Sequence, residues 1–244
     1  MSRDIEVVIF GDIHGNIAAL EAVFEHMDEH VPDRPRYCLG DLVGYGTFPN
    51  EVIEFVRSRS VPTIAGNYDV GVGDRSDDCG CAYRTEIERE RGRQSIDWTN
   101  EAITEENRQY LTTLEEQIEL DLGDFRAVLV HGSPRSVNEY LYADRPDASF
   151  DRLLDAVAAD VLVCGHTHLP YHKRIGNRHV VNAGSVGKPK DGDPRACYAV
   201  LSPTSDGLTV RFERVEYDVE RTAGAIEESA MPDAFAEMLR EGTS

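Results

Sequence analysis

Lysine is nearly absent from this chain of 244 residues. Lys173, Lys188 and Lys190 are the only three, so arginine makes up the other 22 of the 25 basic residues. Against them stand 45 acidic residues, a formal net charge of −20. A chain so poor in positive charge has no basic stripe to lay along phosphates, which excludes a general binder of duplex nucleic acid. It does not exclude a small phosphate-bearing substrate, provided a local positive centre exists. Acid excess with scarce lysine points to a halophilic origin, where ~1 M salt shortens the Debye length to ~3 Å and quenches self-repulsion. Long apolar runs are also missing. No stretch approaches the ~20 residues that cross a bilayer, so no membrane partner is expected. Cysteine is scarce and odd in number, with Cys38, Cys79, Cys81, Cys164 and Cys197. No signal peptide precedes Ile5, so reduced thiols and a cytoplasmic location are the expectation. Cys79-Gly80-Cys81 is one residue short of CxxC spacing and has no second pair, so it reads as a loop turn. With no internal repeat and no low-complexity linker, residues 1–244 read as a single domain with room for a sizeable core.

What is present is a series of short apolar runs. Ile5 to Phe10 reads as a buried strand. Asn16 then caps a helix whose apolar face is Ile17, Leu20, Val23, Phe24 and Met27. Tyr37-Cys38-Leu39 is a second strand, Pro49 opens a second helix, and residues 61–65 form a third strand. This alternation predicts right-handed crossovers and a largely parallel start. Residues 84–115 read as two helices joined near Thr104. Ile118 to Leu122 and Phe125 to Val130 read as a hairpin around Gly123-Asp124. A helix near Phe150 to Ala159 leads into the strand Val161 to Cys164. Pro170 to Ile175 and His179 to Asn182 form a hairpin, followed by strands Cys197 to Leu201 and Leu208 to Tyr217. The tail from Asp218 is helical and broken at Pro232. The fold class is therefore α/β (α+β), with two sheets face to face and helices outside.

Polar residues collect where strands end. Asp12 and His14 follow the first strand, Asp41 the second and Asn67 the third. His131 follows Val128 to Val130, and His166 and His168 follow Val161 to Cys164. Carboxyl ends of strands are where α/β proteins build sites. Carboxylate, imidazole and amide oxygen without thiolate suit a hard-to-borderline divalent ion. In extended backbone, residues two apart share a side, which pairs Asp12 with His14 and His166 with His168. A glycine before each group lets backbone pass close by. Seven candidate ligands exceed what one ion takes and suit two, with one carboxylate shared.

The blocks GDIH (11–14), GDLVGYG (40–46), GNYD (66–69), VHGS (130–133) and GHTH (165–168) resemble, in order, the motifs of calcineurin-like metallophosphoesterases. The block at 182–189, NAGSVGKP, is similar to one in the small prokaryotic phosphodiesterase branch. The resemblance covers most of residues 5–202. It implies a four-layer αββα sandwich and a two-metal site. By that resemblance Asp12, His14 and His168 hold one ion, Asn67, His131 and His166 hold the other, and Asp41 bridges. Manganese is the first expectation, with iron, zinc, nickel and magnesium as the family's other metals. The implied activity is hydrolysis of a phosphodiester, or of a phosphomonoester, by a metal-bridging hydroxide.

Tyr68 stands where many relatives carry histidine. That histidine, oriented by an aspartate at the position of Asp69, is taken to protonate the leaving group. Tyrosine, with a pKa near 10, gives up a proton less readily. A substrate whose leaving group needs little protonation is therefore expected, with Asn67, Tyr68, Asp69 and His131 as the catalytic set. Arg135 is a candidate phosphate clamp. Of His172 and His179, facing each other across their hairpin, His172 is a candidate substrate contact, and Tyr45 and Asn182 are candidates to line the mouth. His26 and His30 read as surface histidines. The partner is a small phosphate ester, and homo-oligomerisation stays open. Two other readings compete: a phosphatase of nucleoside polyphosphates or phosphoproteins, and a non-catalytic scaffold on the same fold.

Overall fold

The computed structural model describes residues 6–204 and 207–244. Ile5, where the sequence places the start of the first strand, lies outside them. The elements run β1 (Val7–Phe10), α1 (Ile17–His30), β2 (Arg36–Cys38), α2 (Pro49–Ser58), α3 (Asn67–Gly73), α4 (Glu86–Ala102), α5 (Glu105–Leu111), β3 (Gln117–Leu122), β4 (Phe125–Val130), α6 (Asp147–Ala156), β5 (Val161–Cys164), β6 (Tyr171–Ile175), β7 (Arg178–Asn182), β8 (Ala196–Thr204), β9 (Gly207–Val215), α7 (Val219–Glu227) and α8 (Ala234–Glu241). One sheet has the order β2-β1-β8-β9 and the other β3-β4-β5-β7-β6. Both are mixed. In the first, β1 pairs parallel with β2 and antiparallel with β8. In the second, β4-β5 and β5-β7 are parallel while the outer pairs are antiparallel.

The period of two in the strands decides the layers. Val8 and Phe10 of β1 join Leu20, Val23 and Ile53 of α1 and α2. Val7 and Ile9 turn the other way and meet Leu129, Val163 and Val181 of the second sheet. On the far face of that sheet, Val128, Leu162 and Cys164 pack on Phe150, Leu153 and Leu154 of α6. The order is helix, sheet, sheet, helix, the αββα sandwich expected above. Each such buried side chain contributes about 1.5–3 kcal/mol, so both faces of every central strand hold the layers together. Cys164 faces this core, as the apolar run before it suggests.

Two expectations need correction. Residues 61–65 do not extend into a strand. They touch neighbours through two parallel bridges only, Cys38 with Thr63 and Ile64 with Glu115. Pro62 has no N–H to continue the ladder, although its carbonyl accepts from the Cys38 amide at 3.0 Å. The sheet that these units open is not largely parallel: β1–β2 and the Cys38–Thr63 bridge are parallel, but β8 adds antiparallel beside β1 and β9 beside β8. Asn67 begins α3, where the Asp69 carboxylate accepts from the Gly66 amide at 2.9 Å.

The helix boundaries follow their caps. Asn16 accepts from the Ala19 amide at 3.1 Å and Thr85 from the Glu88 amide at 3.1 Å, each satisfying a donor that the first turn leaves unpaired. The tail does more than the sequence suggests. Helices α7 and α8 form their own apolar cluster around Ile226, Phe235 and Leu239, and Phe235 sets its ring 5.0 Å from that of Tyr45. No helix among the described residues is long and apolar enough to cross a membrane.

Candidate metal centre

Four strand ends and one helix start deliver the seven candidate ligands to one place. Asp12 and His14 follow β1, Asp41 follows β2, Asn67 opens α3, His131 follows β4, and His166 and His168 follow β5. None of the seven is more than 3% exposed. Asp12, His14, Asp41 and His168 offer ligand atoms within 4.8 Å of one another, and so do Asp41, His131 and His166. Asp41 belongs to both groups.

The backbone that brings them together is not the extended chain expected above. Asp12, His14, Asp41, His166 and His168 all have φ between 50° and 64°. That left-handed region costs an L-residue roughly 1–2 kcal/mol, and Asp and His are among the non-glycine types that enter it. Five such residues in one cluster store strain where function requires it. Backbone bonds hold the shape: the Asp12 amide donates to Gly40 and the His14 amide to Asp41, both at 2.9 Å.

Hydrogen bonds then fix which imidazole nitrogen faces inward. His14 Nδ1–H donates to the Val43 carbonyl (3.0 Å), His131 Nδ1–H to Leu39 (2.8 Å) and His168 Nδ1–H to Lys188 (2.5 Å). A carbonyl only accepts, so in the neutral ring each Nε2 carries a bare lone pair. These lone pairs meet other acceptors. His14 Nε2 lies 3.1 Å from His168 Nε2, and His131 Nε2 lies 3.1 Å from Asn67 Oδ1. The Asn67 amide nitrogen is turned away, donating to the Cys79 carbonyl at 3.0 Å. Asp41 Oδ2 is 3.5 Å from His14 Nε2 and 3.3 Å from that of His131, and Asp12 Oδ1 is 3.2 Å from that of His168. His166 Nε2 is buried without a partner. Acceptors facing acceptors in a dry pocket are destabilising unless a cation lies among them. The residues present therefore fit divalent metal.

The electrostatics agree. Burial pushes the His14 pKa down to about 3 and lowers those of His166 and His168. These rings are neutral, the form that binds metal. Burial also opposes charge on His131, but Asp41 and Asp12 outweigh it and raise its pKa to about 10. The same carboxylates that attract a proton there attract a metal ion.

The glycines before the ligands prove to be spacers between loops. A Cβ on Gly66 would sit 2.1 Å from Asp41 Oδ1, and one on Gly165 would sit 2.5 Å from Asp12 Oδ2. Asp69 is a brace and not a partner of the Tyr68 hydroxyl. Its two oxygens accept from the Leu42 and Gly66 amides, each at 2.9 Å. Tyr68 is 1% exposed. Its ring stands edge-on to His14, and its hydroxyl faces that of Tyr83 at 3.4 Å.

The centre opens into a cavity of about 540 Å³ lined by Tyr45, Tyr68, Tyr83, Tyr140, Lys188 and Lys190, among others. Tyr45 is among the lining residues. Arg135 and His172 are not. The Arg135 guanidinium is held by Glu139, with Nε 3.0 Å from Oε2, and His172 is bonded to His179 at 2.8 Å. Neither lines the cavity. Asn182 is not at the mouth either: it is buried and ties the 165–168 loop, donating to the Gly165 carbonyl at 2.6 Å. His26 is bonded to Tyr198 and stacks on His30, away from the site. The Cys79 and Cys81 sulfurs are 3.2 Å apart, and Cys81 lines the cavity and accepts from the Asn67 amide at 3.3 Å. The sequence reading missed that proximity, and it missed Lys188, Lys190, Tyr140 and the α8 residues Phe235 and Met238, which also line the cavity.

A family model described as the calcineurin-like phosphoesterase superfamily domain matches residues 5–206. A protein of Methanocaldococcus jannaschii, named only as uncharacterised, is 30% identical over 251 aligned positions spanning 96% of each chain. The crystal structure of a metallophosphoesterase from Sphaerobacter thermophilus is 31% identical, with a TM-score of 0.77 over 98% of this chain and 99% of that one. That of a hypothetical protein from Pyrococcus horikoshii OT3 shares the fold at 24% identity, with a TM-score of 0.83 over 98% and 99%.

Proposed function

The chain belongs to the calcineurin-like phosphoesterase superfamily, and on that premise we propose that it hydrolyses phosphodiester bonds with two divalent ions, manganese first. The observation that carries this is the ring of inward-facing acceptors shared through Asp41. Asp12, His14, Asp41 and His168 would hold one ion, and Asp41, Asn67, His131 and His166 the other. When bound, such ions polarise phosphoryl oxygens and lower the pKa of water from 15.7 towards ~7.

The chain's own residues do the rest. The carbonyls of Val43, Leu39 and Lys188 keep three imidazoles in the right tautomer. The Tyr68 amide donates to Asp41 Oδ1 at 2.8 Å and orients the shared carboxylate. Two carboxylates among neutral rings leave a net positive site once divalent ions bind, so the −20 surface does not repel a phosphate there. Tyr68 is fully buried, and burial raises its pKa well above 10. It therefore hydrogen-bonds substrate and does not serve as the proton donor, and the reaction favours esters with good leaving groups. All seven positions are filled, which argues against a scaffold. We place the protein in a salt-rich cytoplasm on the strength of its acidic composition.

One assay set tests this. Wild-type protein should hydrolyse an aryl phosphodiester, lose that activity on chelation, and regain it with manganese, more so at high salt. Tyr68→His should raise turnover of an alkyl monoester about tenfold or more, within the range of general acid catalysis, and change the aryl diester less than threefold. An alkyl monoesterase activity equal in the two proteins would remove the leaving-group argument. Aryl diesterase activity indifferent to chelation would remove the metal.

A further inference from the structure

Two of the three lysines in this lysine-poor chain line the cavity beside the metal centre. The third behaves ordinarily: Lys173 pairs with Asp147 at 2.9 Å and donates to two carbonyls. Lys188 and Lys190 have no carboxylate partner within ion-pair distance among the described residues. Lys188 is 3% exposed, and its Nζ lies only over the Tyr45 ring, 4.9 Å from the centroid. An ammonium buried against a ring face lacks the partner that normally offsets its desolvation. Most arginines, by contrast, are paired with acids, as Arg93, Arg195 and Arg240 are. An anion arriving in the cavity would supply the missing counter-charge for both lysines.

A second feature borders the same space. The Tyr140 ring lies 4.0 Å from that of His166 and is stacked with Tyr142 at 5.8 Å and 10°. Tyr142 is 39% exposed and lines the cavity. A flat, partly exposed aromatic face leading away from a phosphate site is a stacking platform for a base.

We infer, resting on the phosphoesterase reading above, that the substrate is a nucleoside diphosphate derivative: its scissile phosphate sits at the metal centre, its second phosphate on Lys188 and Lys190, and its base on Tyr142. Water oxygen bonds to the scissile phosphorus, and the bond from that phosphorus to the anhydride oxygen breaks. The electron pair stays on the second phosphate, and one water proton passes to solvent. A leaving phosphate titrates near ~6, against ~15.7 for water, which stands in for an alkoxide. It departs without a proton, its charge met by the two ammonium groups. The Tyr68 hydroxyl, turned towards Tyr83, is not needed for that step.

The test is calorimetric binding of AMP, α,β-methylene-ADP and methylenediphosphonate to the manganese-loaded protein. Wild type should bind α,β-methylene-ADP at least tenfold more tightly than AMP. Lys190→Gln and Lys188→Met should each bring that ratio below about threefold. Tyr142→Ala should weaken α,β-methylene-ADP about tenfold and leave methylenediphosphonate within twofold. Equal binding of AMP and α,β-methylene-ADP by wild type overturns the inference, and that comparison needs no variant to fold. A ratio kept in both lysine variants overturns it as well, as does equal loss of both ligands in Tyr142→Ala. Loss of this inference leaves the aryl diesterase activity standing, whereas absence of that activity removes the function and leaves the binding ratios to be read on their own.

Discussion

Asp41→Asn is expected to lower kcat for an aryl diester about 10³-fold while leaving the metal-free protein as stable as wild type, or more so. The two effects have one cause. Asp41 Oδ1 accepts from the Tyr68 amide, and an asparagine oxygen keeps that bond. The new NH₂ group then stands where Oδ2 stood, 3.5 Å from His14 Nε2 and 3.3 Å from His131 Nε2. His14 Nε2 is a bare acceptor, and His131 Nε2 becomes one once the Asp41 carboxylate that chiefly holds its proton is gone, so the amide hydrogens satisfy them. The variant fills the cation site with its own donors and removes one of the two negative charges. Loss of a single preorganised electrostatic group costs about 10²–10³ in rate, and this one serves both halves of the centre. Thermal melts with and without manganese check it: the metal-free midpoint should not fall, and the rise on adding manganese should vanish. A variant that melts lower without metal and still gains from it would show that Asp41 is a scaffold residue.

Gly66→Ala should lower kcat about 10²-fold and destabilise by about 1–3 kcal/mol. Gly66 has φ −87°, so no backbone strain arises. The cause is contact: the added methyl would lie 2.1 Å from Asp41 Oδ1 and 2.3 Å from the Asp41 amide nitrogen. Asp41 must shift, or the start of α3 must, and either moves the shared carboxylate relative to His131. Gly224→Ala is the control. It lies in α7 with nothing within 4 Å of the new methyl, and alanine there should be neutral or stabilising. Steady-state kinetics with melting curves on both variants separate the site from general damage. Equal, small losses in both would mean that the loops adapt freely.

The layers and the ligand set were legible because each signal was redundant. Val7 to Phe10 alternates between two cores, and such a run followed by Gly-Asp reads as a strand leading into a site. Five such blocks name all seven residues that the structure gathers. The local geometry was not legible. Asp-x-His suggested an extended pair, but both residues are left-handed, a conformation set by bonds to the 40–43 loop that sequence spacing does not reveal. The roles of Arg135 and His172 were misjudged because their partners, Glu139 and His179, neutralise or occupy them. The hairpin pairing of the two histidines was visible in advance, but not that each would take up the other's nitrogen. Lys188 and Lys190 were given no role in the sequence. Lys188 lies over the Tyr45 ring, which Phe235 of α8 meets edge-on, a contact between residues nearly 200 positions apart in the chain.

The most direct test is anomalous diffraction from a crystal soaked in manganese. Two peaks per chain are expected, one among Asp12, His14 and His168 and one among Asn67, His131 and His166, both touching Asp41. A single peak that leaves Asp41 out, or none with the seven side chains unmoved, would contradict the shared-carboxylate centre.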